Sequence, residues 1–213
     1  MIVDILLFSD IVLEMVILSD VHSDWNRVEQ VCRLYPDQTV LQLGDLGIGF
    51  LRTEFVLNNT PKNFRFFVGN HDNRTLANTM PACLGDFGEF ENIFFVSGAR
   101  SIDRLDRIEG KSWWPDEELS YSQATACLDA WEKSDKDIIV SHDTTQSFVE
   151  KFALIYDRSI TRSLLQSMIE VRKPKMIVFG HHHHRYEVDH DGIQYRCLPI
   201  NATFVIDSDK KSV

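Results

Sequence analysis

Five short apolar runs recur along the chain, and each stops at a residue type that can ligate a metal. Residues 15–19 lead into Asp20-Val21-His22, and 39–43 into Gly44-Asp45. Residues 64–68 lead into Gly69-Asn70-His71-Asp72, and 137–141 into His142-Asp143. Residues 176–179 lead into Gly180 and four consecutive histidines, 181–184. Short β-branched and aromatic runs bounded by glycine or polar residues read as buried strands. Between them the spacing turns helical. Val28, Val31 and Cys32 share one face of 24–35. Ser120-Tyr121-Ser122-Gln123 has the form of a capping box opening a helix through Leu128 and Trp131. Ile160, Leu164, Leu165, Met168 and Ile169 form a third apolar face. Strands alternating with helices predict an α/β fold with many parallel pairs. After Gly180, residues 185–188 and 193–198 flank Asp189-His190-Asp191-Gly192, a predicted hairpin with His190 at the surface of its turn.

In open α/β sheets, ligands gather beyond the carboxyl ends of the strands. Any one of these polar endings has an ordinary explanation as a turn or a helix cap. Five in one chain favour a shared metal-binding rim. The candidates are Asp20, His22, Asp45, Asn70, His142, His181 and His183. Thiolates are absent from the set, which excludes a cysteine-type structural zinc site. Mixed oxygen and imidazole ligands suit Mn, Fe, Zn or Co. Seven ligands are too many for one ion with an open position, and they suit two ions bridged by a carboxylate. Such pairs clamp the attacking and leaving oxygens at phosphorus.

Charge narrows the partners. With 32 acidic against 22 basic residues the chain carries −10, which argues against strong polyanion binding and against an anionic membrane. Two divalent ions would bring the total to −6, with the added charge focused at the strand ends. The four cysteines form no C-x-x-C and read as free thiols of a reducing cytoplasm. Asp4, Asp10 and Glu14 interrupt the apolar stretch 2–18, so neither a membrane span nor a signal peptide is expected. The stronger strand signal starts at Met15. Residues 1–14 are therefore expected to be an N-terminal extension, 15–207 the domain, and 208–213 a tail. No P-loop motif is present.

Taken in order, Asp20-x-His22, Gly44-Asp45, Gly69-Asn70-His71-Asp72, His142 and Gly180-His181-x-His183 resemble the signature of the calcineurin-like metallophosphoesterase superfamily, over residues 20–183. Gly98-Ala99-Arg100-Ser101-Ile102-Asp103, with Ser112-Trp113-Trp114-Pro115-Asp116-Glu117-Glu118-Leu119, is similar to a subgroup common in bacteria and phages. The resemblance implies two mixed β-sheets sandwiched by helices, with a dinuclear site at the strand ends. It implies that Asp20, His22, Asp45 and His183 hold one metal, that Asp45 bridges, and that Asn70, His142 and His181 complete the second site. His71 is left as catalytic general acid or phosphate-orienting group, with a metal-bridging hydroxide attacking phosphorus. The implied cofactors are two divalent transition-metal ions, Mn favoured, with Fe, Zn, Ni or Co as alternatives. Protein phosphatases of the superfamily follow Gly-Asp with a second Asp and Arg, and read Gly-Asn-His-Glu. Here Leu46-Gly47-Ile48-Gly49-Phe50 follows, and Asp72 closes the later motif. That departure favours a small phosphodiester, such as a nucleotide or nucleic-acid end, over a phosphomonoester. A non-catalytic scaffold is the rival class.

Some residues carry individual expectations. If 181–184 is extended, His181 and His183 point one way, and His182 and His184 point away or line the mouth. Asp24 and Asp72 read as helix caps or supports, and Asp143 as the partner that fixes His142. Arg74 and Arg100, and more weakly Arg104, are candidates for contact with substrate phosphate. Trp113 and Trp114 either seal an edge of the core or stack on a base.

Overall fold

A computed structural model of the protein describes residues 14–50 and 60–206. The expected extension (Glu14 apart) and the expected tail lie outside the described residues. In chain order the elements are β1 (Met15–Leu18), α1 (Trp25–Leu34), β2 (Thr39–Gln42), β3 (Phe64–Phe66), α2 (Arg74–Ala77), β4 (Phe87–Phe90) and β5 (Ile93–Val96). There follow α3 (Tyr121–Lys133), β6 (Ile138–Ser141), α4 (Gln146–Phe148) running into a π-turn at Val149–Ala153, α5 (Ile160–Val171), β7 (Met176–Phe179), β8 (Tyr186–His190), β9 (Ile193–Cys197) and β10 (Thr203–Ile206).

The strands form two mixed sheets, in the orders β10-β1-β2-β3 and β4-β5-β6-β7-β9-β8. In the first, β1, β2 and β3 are parallel and β10 is antiparallel. In the second, β5, β6, β7 and β9 are parallel, with β4 and β8 antiparallel at the edges.

Strands covered on both faces are apolar almost throughout, which is why β1, β6 and β7 read as continuous rather than alternating runs. Met15 and Ile17 of β1 point between the sheets, where they join Leu41, Leu43, Phe67, Phe95, Val140 and Val178. Val16 and Leu18 point the other way, onto Val28, Val31 and Cys32 of α1. On the outer face of the second sheet, Phe94, Ile139 and Ile177 meet Trp131 of α3 and Leu165 and Met168 of α5. The result is helix, sheet, sheet, helix: two mixed sheets sandwiched by helices.

The caps follow the sequence. Asp24 accepts from Arg27 N at the start of α1, and Ser120 and Gln123 form a reciprocal capping box on α3. The hairpin turn is tighter than expected. Asp191 and Gly192, both at positive φ (53° and 79°), make a two-residue loop that suits the strand twist. His190 therefore pairs with Ile193 inside the ladder rather than sitting in the turn. Among the described residues no helix is long and apolar enough to cross a membrane.

Candidate metal centre

The carboxyl ends of β1, β2, β3, β6 and β7 carry Asp20, Asp45, Asn70, His142 and His181 in turn, and the fold brings these ends together. Two glycines make the approach possible. A Cβ on Gly69 would overlap the Asp45 carboxylate, and one on Gly180 would overlap that of Asp20. Any side chain there would displace a ligand.

Asp45 sits at the middle. It adopts a left-handed conformation (φ 57°), uncommon outside glycine although aspartate visits it more readily than most residues. Its Oδ1 accepts from His71 N at 2.8 Å and lies 3.2 Å from His142 Nε2. Its Oδ2 lies 3.9 Å from both His22 Nε2 and His71 Nε2, and is buried without a hydrogen-bond partner. Asp20 accepts from Ser19 Oγ (3.0 Å) and His181 N (3.0 Å), and its Oδ2 lies 3.2 Å from His183 Nε2. His22 and His183 bring their Nε2 atoms within 3.0 Å of each other.

Two groups of ligand-type atoms result, each within 4.8 Å throughout: Asp20, His22, Asp45 and His183; and Asp45, His142 and His181. Asp45 belongs to both. Asn70 joins the second through Oδ1, 3.1 Å from His142 Nε2. Every metal-ligand candidate from the sequence thus lies in the cluster, although the geometry at the histidine run differs from expectation. His181 and His183 both take left-handed conformations (φ 61° and 58°), so the segment turns at each and is not extended.

Electrostatics explains the crowding. Burial alone would raise the Asp45 carboxyl, but His142, His71 and His22 hold it well below its usual range. Asp20 is lowered in the same way, chiefly by His183 against the effect of burial. Burial alone would lower His142, yet Asp45 and Asp20 hold it up at about 10. Two buried carboxylates thus demand positive charge at this spot. His181 is pushed down to about 3, first by burial, and is therefore a neutral imidazole able to ligate.

The supports come from farther along the chain. His142 Nδ1 donates to Leu43 O (2.9 Å), which turns Nε2 toward the cluster. Asn70 Nδ2 donates to Ser101 Oγ (2.9 Å), and Ser101 Oγ donates to Glu117 Oε2 (2.5 Å). This relay fixes which end of the Asn70 amide faces the cluster. Asp72 caps no helix, since Asn73 caps α2. Its buried carboxylate instead gathers the amides of Leu46, Gly47, Ile48 and Gly69. Asp143 does not hold His142. It meets His182 Nε2 (3.0 Å) and Arg162 Nε (2.7 Å), locking the histidine next to the ligands.

A cleft of about 500 Å³ opens over the cluster, lined by His22, Asp45, Asn70, His71, Asp103 and Arg107 among others. His71, the catalytic candidate, lies at its edge with its side chain 19% exposed. Burial lowers its imidazole, and Arg107 adds to that against the pull of Asp45. The arginines need correction. Arg74 does not reach the cleft: its guanidinium is buried, paired with Asp86, and donates to Ser97 Oγ (2.9 Å) and Asp116 O (2.8 Å). Arg100 donates to Arg158 O (2.6 Å) and lines a different cavity. The arginine that meets the catalytic candidate is Arg107, whose Nη1 and Nη2 lie 2.8 and 3.0 Å from the two nitrogens of His71 while Asp103 holds it at 2.6 Å. Its separation of 36 residues from His71 left no sequence signal. Trp114 is buried and packs on Phe50 (5.4 Å between centroids), sealing an edge rather than lining the cleft.

Comparison with known proteins agrees with this arrangement. Residues 13–185 match the family model for calcineurin-like phosphoesterases. No curated protein matches the chain in sequence. A dimetal phosphatase from Danio rerio is similar in structure, with a TM-score of 0.54 at 12% identity over 89% of this chain and 88% of that one. The phosphopantetheinyl hydrolase of Mycobacterium tuberculosis gives 0.52 at 13% identity, over 89% and 91%. At these identities the likeness speaks for the fold alone.

Proposed function

The chain belongs to the calcineurin-like phosphoesterase family, metal-dependent hydrolases of phosphoester bonds, and from that premise we propose a dinuclear enzyme that acts on phosphodiesters. The observation that carries the reading is Asp45, common to two ligand groups and keeping one buried carboxylate oxygen without a partner. An unpaired buried carboxylate oxygen is costly, and a second cation beside it removes the cost. The donor set fits divalent transition metals, Mn first, with Fe, Zn, Ni or Co as alternatives. Asp20, His22, Asp45 and His183 would hold one ion, and Asp45, Asn70, His142 and His181 the other. Two such ions supply Lewis acidity to a phosphoryl group and make a water molecule acidic enough to react near neutral pH.

The remaining chemistry belongs to side chains. His71 stands beside the cluster and protonates the leaving oxygen. Arg107 lies against that imidazole, and Asp103 holds Arg107. A monoester carries up to two negative charges near neutral pH and a diester one. The arginines of the cleft, Arg107 and Arg162, are already paired with Asp103 and Asp143, which supports the singly charged substrate. The four unpaired cysteines support a reducing, cytoplasmic setting. The catalytic domain is assigned to residues 15–207, with 1–14 dispensable for chemistry.

The test is direct. Protein loaded with Mn should hydrolyse bis-p-nitrophenyl phosphate faster than p-nitrophenyl phosphate, and Asp45→Asn should lose nearly all activity. Absence of hydrolysis of both compounds with Mn, Ni, Fe and Zn, from neutral to alkaline pH, overturns the reading.

A further inference from the structure

The metal cleft has a neighbour. A second cavity of about 590 Å³ opens on the same stretch of chain, with its walls divided between the two. Asp103 and Arg107 face the cleft, whereas Arg100 and Arg104 face the second cavity. Likewise Arg162 borders the cleft and Arg158 the second cavity. Residues 100–107 and 158–162 thus contribute to both, and the second cavity carries three arginines.

Their charge is available. The arginine ion pairs among the described residues engage Arg33, Arg74, Arg107, Arg162, Arg172 and Arg185. Among the described residues Arg100, Arg104 and Arg158 have no carboxylate partner, and the Arg100 guanidinium donates there to the Arg158 carbonyl. The one acidic side chain lining the cavity, Glu118, is occupied by Thr161 N at 2.9 Å. Three cations against one engaged acid is an excess of +2 within a chain of −10. Unpaired arginines crowded in a concavity repel one another, and a phosphate relieves the repulsion while taking a bidentate contact.

The rim is not purely ionic. Tyr121 is 79% exposed, and Leu128 and Ile160 line the wall near it. An inorganic polyphosphate has no use for an aromatic ring beside apolar surface, whereas a nucleobase stacks there.

We propose that this cavity binds the second phosphate, with its base, of a short single-stranded oligonucleotide whose scissile phosphate lies at the metal cluster. The inference rests on the phosphodiesterase reading and gives it a substrate class. It agrees with the acidic total, because the basic contact is confined to one cavity and serves a strand end rather than a long duplex.

Arg104→Ala/Arg158→Ala is the informative variant, since both side chains are exposed and their truncation leaves the core untouched. Wild type and variant are compared on bis-p-nitrophenyl phosphate and on tetrathymidylate. The ratio of kcat/KM for the oligonucleotide to that for the small diester should fall about tenfold or more, through KM. The slope of log KM against log salt should flatten by about one. Tyr121→Ala should weaken the oligonucleotide several-fold without changing inhibition by tripolyphosphate. A ratio unaltered by the double variant, or small-diester hydrolysis with no cleavage of the oligonucleotide, overturns the proposal. Failure of both substrates in wild type refutes the phosphodiesterase reading instead. The pocket is then judged by binding of fluorescein-labelled tetrathymidylate in chelator, where no difference between wild type and variant refutes it.

Discussion

Asp72 offers the sharpest test of how the site is held. Its side chain is fully buried, and its two oxygens divide four backbone amides between them. Oδ1 accepts from Gly47 (2.7 Å) and Ile48 (2.9 Å), and Oδ2 from Gly69 (2.8 Å) and Leu46 (3.2 Å). These amides belong to the loops that present Asp45 and Asn70, so one carboxylate ties two ligand-bearing turns together. Asp72→Asn keeps the shape but replaces one oxygen by an NH2. Whichever way the amide is turned, two N–H donors lose their acceptor and face another donor. Hydrogen bonds to a charged group contribute roughly 1.5–3 kcal/mol each, so the loss comes to roughly 3–6 kcal/mol. Against a typical total of about 5–15 kcal/mol that is a large share. For a domain of this size it corresponds to a fall in Tm of roughly 6–24 °C. Urea unfolding in chelator, followed by circular dichroism, reads the change as a lower midpoint at constant m-value. Asp24→Asn is the control, because asparagine caps a helix about as well as aspartate. A loss below about 1 kcal/mol for Asp72→Asn refutes the clamp.

Two further expectations concern the surroundings of the cluster. Ser101→Ala cuts the relay that orients Asn70 and leaves Glu117 without its closest partner, so Mn affinity at the candidate site that includes Asn70 should drop roughly 10–100-fold in calorimetric titration. Equal affinities in wild type and variant would mean that Asn70 is oriented by something else. The thiols should be inert in the native state, since burial pushes Cys32 up to about 11 and Cys127 up to about 12, raises Cys197 as well, and holds the less buried Cys83 at about 11. A thiol reagent at pH 8 should react slowly, Cys83 first, and titrate all four only after unfolding; two fast thiols in the native protein contradict this.

The fold is legible in the five runs that end at a ligand type, but not in β5, whose Ile-Phe-Phe-Val is equally apolar and buried on both faces. The five runs read as strands are β1, β2, β3, β6 and β7, apolar but for Thr39 and Gln42 in β2, Arg65 in β3 and Ser141 in β6. By contrast β4 reads Phe-Gly-Glu-Phe and is only half-buried, so its edge position erases the pattern. β10, antiparallel to β1 at the edge of the first sheet, is similarly mixed. Which strands pair across two sheets is set by long-range packing that no local window contains; the expectation of two sheets came from the resemblance alone.

The site divides along a different line, the length of the side chain. Asp, Asn and His keep their functional atoms within a few bonds of the backbone, so a ligand at a strand end goes where the strand end goes. Even His181 and His183, expected to converge through an extended backbone, converge because two left-handed turns carry the short imidazoles there. Arginine has a long reach, and its destination is decided by distant charge. Arg74 lies three residues after His71, yet Asp86 and Ser97 draw it into the interior. Arg107, distant in sequence, meets both nitrogens of that same histidine because Asp103 sets its angle from one helical turn away. The same reasoning explains why the second cavity is silent in the sequence. Arg100 and Arg104 come from one loop and Arg158 from the residues before α5, and only the fold brings their unpaired charges to one wall. The candidate ligands are therefore readable as a list of strand ends, whereas candidates for substrate contact become readable only once the partners of each arginine are known.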